Sequence, residues 1–143
     1  MAYLLTEDAW PRIRAFAQKR GPRLVAVPFV GTGAPSRLPL RSGDLLITRL
    51  DEPAVRAGLT NPTEIARLIR RGVEVHHVAN LHAKVFVLGG VAVVGSTNVS
   101  HSSESQLLEA ALLTDHRSTV HACAKFVRSL RGDLIGLAFA NRL

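Results

Sequence analysis

A chain of 143 residues, 47% of them hydrophobic, is long enough to fold as one compact domain, which we expect to span residues 1–143. The formal net charge is +7, and arginine supplies most of it, with fifteen Arg against three Lys. Because guanidinium groups match phosphate oxygens, this balance favours a polyanionic partner, although a solvated basic surface would have the same composition.

The composition also bears on where the protein works. No apolar run approaches the roughly 20 residues that span a bilayer. Glu7 and Asp8 stand where a secretory signal would be basic, and Cys123 is the only cysteine, so no internal disulfide can form. We therefore expect a soluble, cytoplasmic protein with no stable membrane association, and Cys123 as a small buried residue.

The first half of the chain alternates helical and extended patterns. It predicts a helix over residues 6–20 with Thr6 as its N-cap, strands over 23–30 and 44–50, and a Gly- and Pro-rich loop between them. Asn61 and Pro62 suit the N-cap and first position of a further helix. Trp10 is expected to pack the first helix rather than to stack on bases.

The second half continues this alternation. It predicts strands over residues 73–78, 85–88, 91–94 and 107–113, followed by a helix over 117–130. Gly89 and Gly90 suit the two-residue turn of a hairpin. The sequence therefore predicts an α/β sandwich, in which helices flank a mixed central β-sheet.

The richest segment is residues 81–100, which read LHAKVFVLGGVAVVGSTNVS. Two-residue spacing on a strand would point His82 and Lys84 to the same side. The hairpin would fold Ser96 and Asn98 back toward that strand end, although both could also be turn or helix-capping residues. An imidazole, an ammonium, a hydroxyl and a carboxamide together suit a phosphoryl group.

This segment resembles the HxK…GSxN signature of the phospholipase D superfamily of phosphodiesterases. His82 and Lys84 match the first part, and residues 95–98 match the second. The family's aspartate position falls on Gly89, and the spacing from there to Gly95 is one residue short. Glu109 corresponds to a glutamate that nuclease-like relatives carry on the next strand.

The resemblance implies a phospholipase D-like fold and chemistry that needs no metal or cofactor. It implies that His82 attacks phosphorus and forms a covalent phosphohistidine, while a second histidine protonates the leaving oxygen and then activates water. Lys84, Asn98 and Ser96 would hold the non-bridging oxygens, and Glu109 would keep the histidine in its correct tautomer. Since the chain has one motif, we expect a homodimer in which each subunit contributes one histidine to a site on the twofold axis.

The basic charge makes nucleic acid the expected substrate, so the leading hypothesis is a nuclease that cleaves DNA or RNA. A phospholipid-directed phosphodiesterase is one alternative. A catalytically silent nucleic-acid-binding module is the other, because Gly89 replaces the aspartate and the hairpin is shortened. His76 and His77 would face opposite sides of a strand and make a poor metal pair. Strand preference, sequence preference and biological pathway are not encoded in any pattern of the chain.

Overall fold

The architecture is seen in a computed structural model that describes residues 1–19, 21–99 and 108–143. The strands within these ranges are β1 (Ala2–Leu5), β2 (Arg23–Ala26), β3 (Leu45–Thr48), β4 (Glu74–His77), β5 (Val85–Leu88), β6 (Val91–Gly95), β7 (Ala111–Thr114) and β8 (Asp133–Leu134). They form one eight-stranded sheet in the order β1-β7-β6-β5-β2-β3-β4-β8. The pairs β2–β3 and β3–β4 are parallel and the others antiparallel, so the sheet is mixed.

Helices cover both faces of this sheet. Within the described residues they are α1 (Ala9–Ala17), α2 (Ala34–Arg37), α3 (Glu52–Arg56), α4 (Pro62–Arg70), α5 (Arg117–Ser129) and α6 (Leu137–Arg142). Apolar residues of α1, α4 and α6 join one hydrophobic cluster, while α5 packs on the other face and forms a second cluster. The predicted α/β sandwich with a mixed central sheet is confirmed. No helix in the described part of the chain is long and apolar enough to cross a membrane.

Local signals of the sequence locate several elements correctly. Asn61 is the N-cap of α4, and its side chain accepts a hydrogen bond from the Thr63 N–H at 2.9 Å. Leu88 pairs with Val91 across the predicted two-residue turn, and Gly89 takes a positive φ of 65° there. Each of these positions is specified by neighbours within four residues.

The predicted burial of Trp10 is confirmed, and that of Cys123 only in part. Trp10 is buried in α1 and meets Phe86 of the sheet edge to face, with ring centroids 5.8 Å apart, so its packing role is confirmed. Cys123 lies on α5 as expected but is only half-buried. Its burial raises the pKa of the thiol.

The N-terminal region differs from the prediction. The chain begins with an edge strand, β1, which pairs antiparallel with β7. Three of its four residues are exposed, so the sequence lacks the alternation that marks a strand. The helix starts at Ala9 with Asp8 at the N-cap position and without a side-chain cap, so the prediction of Thr6 as N-cap is wrong. The loop after β2 also contains the short helix α2, which its Gly and Pro content concealed.

A buried ion pair ties α1 to the start of the parallel strands. The Arg23 guanidinium donates to Asp44 at 3.0 Å and to the carbonyl oxygens of Ala17 and Lys19 at 2.6 and 3.1 Å. The Asp44 carboxylate also accepts from the Arg41 N–H at 2.7 Å. This network satisfies both charges inside the protein.

Candidate active site

The motif residues gather at one edge of the sheet, by which we mean the side where strands begin or end and not an outermost strand. β2 and β6 end at this edge, whereas β5 begins there, as the pairings Ala26 with Val85 and Val85 with Val94 require. His82 and Lys84 lie in the segment directly before β5. Ser96 and Asn98 follow β6, and Glu109 precedes β7. The hairpin therefore brings the two halves of the motif to the same end, as its turn predicted.

His82 and Lys84 precede the strand rather than lie on it, because β5 starts only at Val85. The prediction that both sit on the strand is therefore wrong. His82 is exposed and Lys84 is half-buried. The Lys84 ammonium donates to the His82 carbonyl oxygen at 3.2 Å, and the Lys84 carbonyl accepts from the Gly95 N–H at 3.2 Å. These contacts fix the lysine beside the start of the Gly-Ser-x-Asn segment.

Ser96 is held by the chain that leads into β7. Its N–H donates to the Ala110 carbonyl at 3.0 Å, and its Oγ accepts from the Ala110 N–H at 3.1 Å. The same hydroxyl donates to the Glu109 carboxylate. Glu109 lies two residues before β7 begins at Ala111, so the prediction of a strand that carries Glu109 is wrong, and residue 107, its predicted start, lies outside the described residues.

The structure thus gives Glu109 a hydroxyl partner within the same chain. The pairing of this carboxylate with the His82 ring stays a prediction.

Gly95 is required by the close approach of two backbones. A Cβ atom at this position would overlap the backbone of Ala110 and Ala111. Any larger residue would push β6 away from the segment that carries Glu109. The glycine of the motif therefore serves to bring Ser96 and Glu109 together.

Asn98 is anchored to the chain that leaves β2. Its Oδ1 accepts from the Phe29 N–H at 3.3 Å, which orients the Nδ2 donor end of the amide away from that contact. A bridge between Val30 and Val99 and a 2.8 Å hydrogen bond from the Gly31 N–H to the Val99 carbonyl complete this junction. The predicted alternative, a helix cap near residue 100, lies outside the described residues.

A second polar cluster lies at the same edge and was not predicted. Arg49 stacks over Phe29, with 5.4 Å from its guanidinium carbon to the ring centroid, and donates to Asp51 at 3.1 Å. The Leu50 N–H donates to His77 Nδ1 at 2.9 Å, which leaves the hydrogen of the neutral imidazole on Nε2. The parallel register of β3 and β4, which pairs Thr48 with His77, brings these residues together. No local spacing in the sequence signals this register.

Asp51 is held as a carboxylate in this cluster. Burial by itself would raise the pKa of Asp51, but the Ala54 N–H and the Arg49 guanidinium lower that pKa further than burial raises it. The net pKa lies below the ordinary aspartate value, so Asp51 is charged at neutral pH and offsets the charge of Arg49.

The other histidine of β4 has a structural environment. His76 is buried, and its ring contacts Glu74 at 2.7 Å and the Gly132 carbonyl at 3.1 Å. His76 and His77 thus have separate partners, as their adjacency predicted. Among the described residues no group of three or more His, Cys, Asp or Glu side chains could hold a metal ion.

Comparison with known structures places this fold among known phospholipase D proteins. The chain resembles Nuc, a phospholipase D family member from Salmonella typhimurium, with a TM-score of 0.70 and 11% identity over 90% of this chain and 92% of that one. It resembles NucT from Helicobacter pylori with a TM-score of 0.69 and 13% identity over 95% and 98% of the two chains. At these identities the likeness shows the fold.

A third solved structure, part of which has a similar fold, is TrmBL2, an archaeal chromatin protein described as having a novel mode of DNA binding. It has a TM-score of 0.60 and 6% identity over 90% of this chain and 51% of that one. The comparison with curated proteins finds no match.

A comparison of the sequence with protein families gives the direct assignment. The family described as "Cardiolipin synthase, PLD-like domain" matches residues 46–131, which is more than half of the chain and includes the motif. The protein therefore belongs to the phospholipase D superfamily of phosphodiesterases.

Proposed function

We propose that the protein is a metal-independent phosphodiesterase that cleaves nucleic acid through a phosphohistidine at His82. The observation that carries this proposal is the meeting of both halves of the motif at one sheet edge, next to a second cluster that contains Arg49 and His77. The net charge of +7 supports a polyanionic substrate. The superfamily supplies the class of reaction.

The proposed reaction has two steps. A ring nitrogen of His82 attacks phosphorus, and the bond to the leaving oxygen breaks as a second histidine gives that oxygen a proton. The same histidine then takes a proton from water, whose oxygen attacks phosphorus and releases His82. The exposure of His82 supports this role, because an incoming phosphodiester can reach its ring.

The neighbouring side chains suit the charge of the phosphoryl group. Lys84 is half-buried and contacts a backbone carbonyl, so its positive charge is available to the non-bridging oxygens. Asn98 is held beside the motif by its Oδ1, which accepts from the Phe29 N–H, and its carboxamide is proposed to contact a non-bridging oxygen. Ser96 would be held in place by its hydrogen bond to Glu109.

The second histidine is proposed to come from a second copy of the chain. An exposed apolar row on the α5 side of the sheet supports this. Three residues that neighbour one another across β1, β7 and β6 form the row: Leu4, which is 70% exposed, Leu112, which is 49% exposed, and Val94, which is 43% exposed. Val94 lies two residues before Ser96 in the sequence, and Leu112 lies three residues after Glu109. Burial of such a row beside the motif suits a symmetric dimer in which two copies of His82 face each other.

The first test is cleavage of plasmid and single-stranded DNA in excess EDTA. We expect cleavage by the wild type and none above background by His82→Ala. His116→Ala is the matched control, since this exposed histidine contacts Ser118 and Thr119 far from the motif. Cleavage that survives His82→Ala would overturn the mechanism.

The dimer is tested separately by light scattering. Leu112→Asp should give a monomer without cleavage, even though His82 is intact. Leu134→Asp is the control, because Leu134 is 67% exposed but lies on β8 at the other end of the sheet. A monomeric wild type that cleaves DNA would contradict the shared site.

Two other activities remain as outcomes of these assays. The name of the matching family, which refers to cardiolipin synthase, favours a lipid substrate as the second candidate. Hydrolysis of phosphatidylcholine or cardiolipin vesicles without cleavage of DNA would reverse the ranking. Tight DNA binding with no trapped phosphohistidine would favour the silent binding module, for which Gly89 at the aspartate position is the supporting observation.

A further inference from the structure

A cavity of about 290 Å³ lies at the opposite edge of the sheet from the candidate active site. It borders Gly89 and Gly90 at the far end of β5, and Pro22 before β2. Five residues of nearly extended chain separate Lys84 from Gly89, which corresponds to about 17 Å. The cavity is therefore a separate feature of the molecule.

The floor of the cavity is apolar. Leu24 and Val87 contribute from the sheet, and Val120 and Ala124 contribute from α5. Small-molecule pockets begin at about 300 Å³ and are mostly apolar with a few polar groups that fix the ligand. This floor suits a ring or a short aliphatic body.

The rim of the cavity is basic. Arg117, His121 and Arg128 line it, all from α5. Their spacings of four and seven residues place them within about 40° of one another around the helix, with about 16 Å along its axis between the first and the last, so both arginine side chains must extend toward each other to reach one anion. Within the described ranges of the chain, no Asp or Glu lines the cavity. The rim therefore presents two guanidinium groups and an imidazole to whatever enters.

The helix that carries this rim has no acid of its own. Residues 117–129 read RSTVHACAKFVRS, with four basic or histidine side chains and no Asp or Glu. Among the residues that the structure describes, neither Arg117 nor Arg128 forms an ion pair. Two like charges above one cavity are stabilised by an anion that accepts hydrogen bonds from both.

We propose that this cavity binds a phosphomonoester with an aromatic or apolar body. The phosphate lies between Arg117 and Arg128, and the body rests on the floor beside Ala124. A phosphate presents enough oxygens to accept from two guanidinium forks at once, which favours it over a single carboxylate. A free nucleotide and the phosphorylated end of a nucleic-acid strand both carry this group.

The test is calorimetric titration of the full chain with adenosine monophosphate, with adenosine as the matched ligand that lacks phosphate. We expect the nucleotide to bind about tenfold or more tightly than adenosine. Arg128→Ala should weaken nucleotide binding by about tenfold, the effect of losing a charged hydrogen bond. Lys125→Ala should leave it unchanged, because Lys125 is an exposed cation of the same helix that does not line the cavity.

Gly90→Asp provides a second variant that does not depend on a truncated arginine. A Cβ atom at Gly90 meets nothing within 4 Å, so the new carboxylate is accommodated at the mouth of the cavity. We expect it to weaken nucleotide binding as Arg128→Ala does, with an unchanged melting temperature. Binding that neither variant weakens would overturn the proposal.

His82→Ala separates this cavity from the candidate active site. Nucleotide binding that persists in His82→Ala supports the cavity, whereas binding lost in that variant and kept in Arg128→Ala would overturn it. Oligonucleotides with a 5′-phosphate or a 5′-hydroxyl then identify the source. A phosphate preference that Arg128→Ala abolishes points to a strand end, and binding of the mononucleotide alone points to a free nucleotide. None of these readouts requires nuclease activity.

Discussion

Two charged clusters flank the central strands and have opposite environments. Arg23 and Asp44 are 8% and 3% exposed, and hydrogen bonds from both side chains and the backbone surround them. Lys84, at the other edge, is half-buried and contacts a backbone carbonyl, with no carboxylate partner among the described residues. The Arg23–Asp44 pair is internally neutral, whereas the Lys84 ammonium has no such neutralising partner within the described residues and is partly exposed to solvent.

The contrast shows why residue type alone does not identify a binding site. By sequence, Arg23 is one of the fifteen arginines whose number favours a polyanionic partner. In the structure the charge of Arg23 is compensated by Asp44, so Arg23 contributes to stability and not to an anion-binding surface. Lys84, one of three lysines in the chain, has no carboxylate partner among the described residues, which is why the proposed mechanism assigns the phosphate to it.

The largest expected effect is on stability. Asp44→Ala removes one partner of a buried pair and leaves the Arg23 charge uncompensated, so we expect the free energy of unfolding to fall by about 3–5 kcal/mol. Urea denaturation measures this change. Glu52→Ala is the control, because the Glu52–Arg56 pair is exposed and should contribute less than about 1 kcal/mol. Equal losses in the two variants would show that the buried pair has no special role.

Lys84→Met should have the reverse profile. We expect kcat/KM for DNA cleavage to fall by about 100- to 1000-fold, as when one fixed donor to a transition-state charge is lost. The melting temperature should change little, because the side chain makes one hydrogen bond to a backbone carbonyl. Lys125→Met is the matched control on α5. A large loss of stability with normal specific activity would show that Lys84 stabilises the fold, as Arg23 does, and does not act on the substrate.

Gly95→Ala tests the close approach of β6 to the segment that carries Glu109. The added methyl group overlaps the backbone of Ala110 and Ala111, so we expect a cost of about 1–3 kcal/mol and a displaced Ser96. Cleavage should fall by more than the unfolded fraction explains. Gly136→Ala is the control, since a Cβ atom there meets nothing within 4 Å and φ is −91°. Full activity in Gly95→Ala would mean that the Ser96–Glu109 contact is dispensable.

Features specified by nearby residues were predictable from the sequence. The Asn61 cap, the Gly89–Gly90 turn and the order of His82, Lys84, Ser96 and Asn98 all depend on short spacings, and the fold confirms the first two as predicted. The turn in turn explains why both halves of the motif reach one edge. The phospholipase D resemblance followed from the same short segment and is confirmed.

Features that depend on long-range register were not predictable. Arg23 and Asp44 are 21 residues apart, and their pairing follows from the parallel register of β2 and β3. Leu50 and His77 meet for the same reason one strand further along. No short spacing links these residues, because Arg23 and Asp44 stand at the starts of β2 and β3, whereas Arg49 and His77 stand at the ends of β3 and β4. The edge strand β1 was not predicted, because three of its four residues are exposed and the strand has no alternating buried face.

The smallest expected effect concerns Glu74, whose exposure lies between that of the buried Arg23–Asp44 pair and that of the exposed Glu52–Arg56 pair. The Arg131 guanidinium and the His76 ring hold the pKa of Glu74 below its ordinary value. Because the pKa is lower in the folded state, the stabilisation is present above the unfolded value of about 4.5 and is lost as pH falls through the folded pKa. At 45% exposure, solvent screening limits it to less than about 1 kcal/mol.

Urea midpoints at pH 6 and pH 3 measure this contribution in the wild type and in Glu74→Gln. We expect the wild type to lose slightly more stability than the variant on acidification, and 1 M salt at pH 6 to narrow the gap because it screens an exposed pair. Equal losses in the two proteins would group Glu74 with the solvated surface acids. A loss as large as that of Asp44→Ala would instead show that partial exposure does not separate structural ion pairs from exposed ones, and would break the contrast between the two clusters.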